Sequence, residues 1–135
     1  MKGILLVSHG FYAEELKKSL KMIAGNVDNI CTACLEETDG PDQFTEKIKT
    51  LEAKLNNYQE VIVFSDLLGG SPGNTALQYL ITKNNYSFIA GMNFPMVLTS
   101  LLESNSSIEN IIQAGKDGIV DVRAFMTNMS SDDEE

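Results

Sequence analysis

The chain contains a single histidine, His9, in the run Ser8-His9-Gly10. An imidazole attacks through whichever ring nitrogen is unprotonated, and a hydrogen bond at the other nitrogen selects that tautomer. A carboxylate suits that second task and also balances the positive charge of a modified ring. Asp66 is the candidate, because it heads the run Asp66-Leu67-Leu68-Gly69-Gly70-Ser71-Pro72-Gly73-Asn74. In that run Ser71 reads as a helix N-cap, Pro72 fits a first helical turn, and the two glycines permit a tight approach. A helix opened there presents unpaired N–H groups and the positive end of its dipole, which suits a phosphoryl group. Gly69, Gly70, Ser71 and Asn74 are therefore candidate phosphoryl-binding residues. A third run, Gly91-Met92-Asn93-Phe94-Pro95-Met96, completes the set.

These runs gain meaning from the elements that place them. Short apolar segments alternate with helical patterns, which indicates βαβ units and a parallel sheet. Strands are expected at 3–8, 29–35, 60–65 and 87–91. The first helix shows Ala13, Leu16, Leu20 and Ile23 on one face; the second shows Phe44, Ile48, Leu51 and Leu55. A third helix follows Pro72. Two short helices, about 95–102 and 107–115, follow strand four. Two helices in succession return the chain to its starting end, so a fifth strand, Gly118 to Arg123, is expected antiparallel at an edge. The fold class is thus a doubly wound α/β sheet, four parallel strands in the order 2-1-3-4 plus one antiparallel strand, with helices on both faces. Ligands of such sheets bind beyond the carboxyl ends of the strands where the order reverses. That is where His9 and Asp66 fall.

Composition narrows the function. Ten Lys+Arg against 19 Asp+Glu give a formal net charge of -9, which opposes nucleic-acid binding and attachment to an anionic membrane surface. No leader or membrane span is read at the N-terminus, and a cytoplasmic location is expected. Cys31 and Cys34 form a C-x-x-C, but inside a strand residues three apart face opposite ways. With one histidine in the chain they complete no four-ligand metal site. No metal and no cofactor is expected, and neither G-x-x-x-x-G-K-[ST] nor G-x-G-x-x-G occurs. A Ser8–His9 nucleophile pair is unfavourable, since neighbours at a strand end point apart, and no G-x-S-x-G elbow is present. One domain is expected over 1–125, followed by a disordered acidic tail over 126–135.

In order and spacing, Ser8-His9-Gly10, Asp66 with Gly69-Gly70-Ser71-Pro72-x-Asn74, and Gly91-x-Asn93-x-Pro95-Met96 resemble the IIA domain of the mannose-type sugar phosphotransferase system. The resemblance covers about residues 1–125. It implies a phosphotransferase in which His9 takes a phosphoryl group at Nε2 from the phosphocarrier HPr while Asp66 holds Nδ1. It implies an acceptor histidine on a IIB component, with membrane IIC and IID components downstream. It also implies a homodimer to which the C-terminal strand contributes. Phe11, Leu67, Leu68, Phe94 and Met96 are the candidate docking residues. Two positions depart from the family pattern: Gly73 often has a bulky apolar counterpart, and Leu68 a tryptophan. The phosphocarrier subunit of dihydroxyacetone kinase is the alternative within this chemistry. A regulatory module without transfer is the alternative outside it.

Overall fold

The computed structural model describes residues 1–133. Strand β1 (Gly3–His9) leads into α1 (Tyr12–Ala24), β2 (Ile30–Leu35), α2 (Pro41–Leu55), β3 (Val61–Ser65), α3 (Ser71–Leu80) and β4 (Tyr86–Ala90). Three helices then follow in succession: α4 (Phe94–Leu102), α5 (Ile108–Asp117) and α6 (Val122–Asp133). The sheet has four strands in the order β2-β1-β3-β4, every pair parallel. One helix between successive strands returns the chain to the same end, which is why each pair is parallel.

The central strand β1 is buried on both faces. Its alternate residues feed two separate cores. Ile4 and Leu6 pack with Leu20, Phe64, Val97 and Ile111 on the side of α1, α4 and α5. Leu5 and Val7 pack with Phe44, Ile48, Val63 and Leu80 on the side of α2 and α3. The cysteines follow the same alternation: Cys31 lies in the second core and Cys34 packs against the first. Burial pushes the Cys31 thiol pKa up, which suits an inert core thiol. Among the described residues no group of three or more metal-ligating side chains forms, and no helix is long and apolar enough to cross a membrane.

The expected antiparallel strand is absent. Gly118 is the C-cap of α5, and Val122 already lies in α6. The run Ile119-Val120-Asp121-Val122 has strand-like composition, but composition makes no strand without a paired neighbour. Here Asp121 caps a helix: its side chain accepts the Ala124 N–H at 3.2 Å, and its carbonyl accepts the Phe125 N–H at 2.9 Å. Residues 116–129 are all exposed. Among the described residues this segment offers no strand for a second copy to pair with. The tail expected from 126 onward continues α6 to Asp133; Glu134 and Glu135 lie outside the described residues. A smaller departure concerns Ile23, expected on the buried face of α1 but 62% exposed.

Candidate functional site

His9 closes β1, and Asp66 follows β3 directly. Because β1 and β3 are neighbours, the two residues meet beyond the carboxyl ends of the strands, at the reversal of strand order. One carboxylate oxygen, Asp66 Oδ2, lies 2.9 Å from His9 Nδ1 and also accepts the His9 backbone N–H at 2.9 Å. The two bonds fix the ring and the backbone of one residue against one atom. A carboxylate at Nδ1 favours the tautomer protonated there, which leaves the lone pair on Nε2. The ring is half exposed, whereas the Asp66 side chain is 16% exposed. Asp66 Oδ1 is buried with no hydrogen-bond partner among the described residues. Its charge is therefore weakly solvated and directed at the imidazole.

Backbone contacts aim the aspartate. Gly91 and Met92 both donate their N–H groups to the Ser65 carbonyl at 3.0 Å. This double bond pattern clamps the peptide that leads into Asp66. Tyr12 donates its hydroxyl to the Met92 carbonyl at 3.2 Å, tying the start of α1 to the same loop.

The glycine-rich run turns back toward His9. Gly69 has φ +80°, a conformation costly for any residue with a Cβ. Gly70 comes so close to the histidine that a Cβ there would lie 2.8 Å from His9 Cε1 and 3.6 Å from Nε2. The backbone at Gly70 thus borders the Cε1–Nε2 edge of the ring. Gly70, not Ser71, is the N-cap of α3. Glycine fills that position because a side chain would strike the imidazole. Ser71 becomes the first helical residue and its hydroxyl is released from capping. The first backbone bond of the helix runs from the Asn74 N–H to the Gly70 carbonyl at 3.0 Å. The N–H groups of Ser71 and Gly73 precede it and have no partner within the helix. Asn74 spends its side-chain amide on the Gly69 carbonyl at 3.2 Å, so it holds the loop in shape. None of the ion pairs among the described residues brings a lysine or arginine to Asp66.

The candidate docking residues divide. Leu67 and Leu68 are 60% and 85% exposed, and Phe11 is 56% exposed beside His9. Phe94 packs partly against the first core. Met96 is 6% exposed within that core, so it is a packing residue and not a contact residue. Its position follows from α4, where Asn93 accepts the Met96 N–H at 3.1 Å and donates to the Gly115 carbonyl at 2.9 Å. That brace between α4 and α5 escapes sequence reasoning. The Asn93-Phe94-Pro95 order carries its signal, an N-cap ahead of a proline in the first turn.

The chain matches the family model described as "PTS system fructose IIA component" over residues 3–114. It is 28% identical over 128 residues to the "PTS system mannose-specific EIIAB component" of Escherichia coli, covering 90% of this chain and 40% of that protein. The chain thus spans about two fifths of the length of that relative. It is 27% identical over 103 residues to the "PTS system sorbose-specific EIIA component" of Lacticaseibacillus casei, covering 76% of this chain and 74% of that protein. Among solved structures it resembles the PTS IIA protein associated with the fucose utilization operon of Streptococcus pneumoniae. That match has a TM-score of 0.84 and 28% identity, and covers 93% of this chain and 96% of the other. The matched residues include the sheet and both loops that form the histidine site, and the chain belongs to the IIA component family of the mannose-type phosphotransferase system.

Proposed function

We propose that the protein is a phosphoryl carrier that accepts a phosphoryl group on His9 from phospho-HPr and passes it to a IIB component during coupled sugar uptake. One observation supports this most. Nδ1 is committed to Asp66 at 2.9 Å, while the Nε2 edge of the same ring faces the backbone of Gly70 at the start of α3. In the first step the Nε2 lone pair attacks phosphorus as the N–P bond of the donor phosphohistidine breaks. The bonding electrons return to the donor imidazole. Nδ1 keeps its proton and donates it as a hydrogen bond to the Asp66 carboxylate, whose negative charge offsets that of the phosphorylated ring. The second step reverses these roles toward an acceptor histidine. Three negatively charged oxygens then lie beside the free N–H groups of Ser71 and Gly73, with the Ser71 hydroxyl in reach of the same region. Positioned donors of this kind are the main source of rate in phosphoryl transfer. Phe11, Leu67 and Leu68 form the exposed apolar surface on which donor and acceptor alternate.

The test is intact-mass measurement with phosphoenolpyruvate, its phosphorylating enzyme and HPr. Wild-type chain gains the mass of one phosphoryl group; His9→Ala remains folded and gains none. Labelling of His9→Ala at the wild-type level would overturn the assignment.

A further inference from the structure

Phe11 occupies the N-cap of α1 and makes no side-chain cap bond. The helix is nevertheless capped. The Ala13 N–H donates to Ser8 Oγ at 2.8 Å, and the Ser8 hydroxyl donates to the Gly10 carbonyl at 3.1 Å. Ser8 is fully buried; its bond from Ala13 is buried and its bond to the exposed Gly10 is partly so. The residue between these anchors is His9. One hydroxyl therefore closes a ring over the His9 backbone, pinning the Gly10 peptide on its far side and tying both to α1. Gly10 sits at φ +56°, and its own N–H donates to the Leu35 carbonyl at 2.8 Å. The turn after β1 is held from β2, from α1 and from within.

We infer that Ser8 is the positioning residue for His9: its buried hydroxyl fixes the turn that lets the His9 backbone N–H and Nδ1 reach the same oxygen of Asp66. That double approach demands one backbone conformation at residue 9, because the two donor atoms are joined through Cα, Cβ and the ring. Without the hydroxyl, the Gly10 carbonyl and the Ala13 N–H lose their partner. The turn then relaxes toward conformations in which only one of the two Asp66 bonds is made. Ser8 touches no reacting atom, and its role in transfer rests on the phosphoryl-carrier reading above.

The experiment has two arms. The first needs no phosphoryl donor, so it can fail independently of that reading. In 15N-labelled protein, Ser8→Ala should move the His9 Nδ1 and Nε2 resonances toward the mixed tautomers of free imidazole, with core amides beyond residue 15 unmoved. Ser8→Thr, which keeps a hydroxyl at the same place, should retain the wild-type tautomer. The second arm measures the single-turnover rate from phospho-HPr. Ser8→Ala should slow it on the order of tenfold to a hundredfold, the scale of a small misplacement of a reacting group, and Ser8→Thr should recover most of it. Wild-type tautomer populations in Ser8→Ala overturn the positioning role. So does equal damage from Ala and Thr, because the hydroxyl is then not the cause. An altered tautomer with an unchanged rate overturns the role in transfer while leaving the geometry intact.

Discussion

Two loop regions leave the same end of the sheet side by side, one after β2 and one formed jointly after β1 and β3, and they are finished to different degrees. After β2, the Lys47 ammonium donates to the Cys34 carbonyl at 2.9 Å, to Glu36 at 2.9 Å and to Asp39 at 2.6 Å. Asp39 also accepts the Glu36 N–H, and the Gly40 N–H goes to the Gln43 side chain. Charge meets charge, and the turn closes on itself. After β1 and β3, one oxygen of Asp66 has no hydrogen-bond partner among the described residues, the His9 side chain is half exposed, and two N–H groups at the start of α3 precede the first helical bond. Both loops contain a carboxylate held by a basic group. Only one leaves valences open. Unused donors around a histidine held in one orientation cost stability locally, and such arrangements cluster where ligands bind.

Removing the Asp66 charge should separate the two loops most sharply among variants that keep His9. Asp66→Asn preserves the shape and an acceptor oxygen but not the charge. Both transfer steps should slow on the order of ten- to a thousandfold in rapid-quench measurements, as for other positioned electrostatic groups. Unchanged rates would mean that the aspartate only shapes the turn. A smaller effect is expected from Gly70→Ala. The backbone at Gly70 has φ -77° and ψ 158°, ordinary for alanine, so the substitution adds a methyl without straining the chain. That methyl would meet His9 Cε1 at 2.8 Å and push the ring off Asp66. Transfer should fall by about ten- to a hundredfold with the melting temperature nearly unchanged. A wild-type rate would show that the ring has room to move, and that the close approach of α3 is incidental.

The sheet order and the meeting of His9 with Asp66 were legible in the sequence because both depend on local rules. Buried runs such as Ile4-Leu5-Leu6-Val7 leave little choice but a central strand, and residues after neighbouring parallel strands must share an edge. What sequence misjudged depended on partners that local patterns do not name. Ile119-Val120 has strand composition, yet Asp121 supplies a helix cap and no strand is at hand to pair with. Ser71 outranks glycine as an N-cap by propensity, but the imidazole fills the space a side chain would need at position 70. Met96 falls in the core because α5 brings Gly115 against it, where a Cβ would lie 3.1 Å from Met96 Cβ.

The smallest expected effect tests the closed loop. Lys47→Met keeps the aliphatic stem and removes the ammonium, so phosphoryl transfer should proceed at the wild-type rate while stability falls. The size of that fall depends on pH in a direction set by the two partners. The hydrogen bond from Lys47, and next the Glu36 backbone N–H, hold the Asp39 carboxyl below its ordinary value of 3.8. A carboxyl depressed in the folded state stabilises fully above that ordinary value, and the contribution is lost as pH falls through the lower folded value. Bonds to Asp39 and then Glu36 raise the Lys47 ammonium above its ordinary 10.5, so its contribution is complete below 10.5 and is lost as pH rises past the folded value. Between these limits the stability gap between wild type and Lys47→Met should be flat. Below pH 3.8 it should narrow without vanishing, since the ammonium still caps the Cys34 carbonyl. Urea titrations at pH 7 and at pH 3 measure the gap directly. A gap as wide at pH 3 as at pH 7 would assign the whole contribution to the carbonyl cap. A slowed transfer rate in Lys47→Met would show that the finished loop is coupled to the unfinished one through the backbone bond from Gly10 to Leu35.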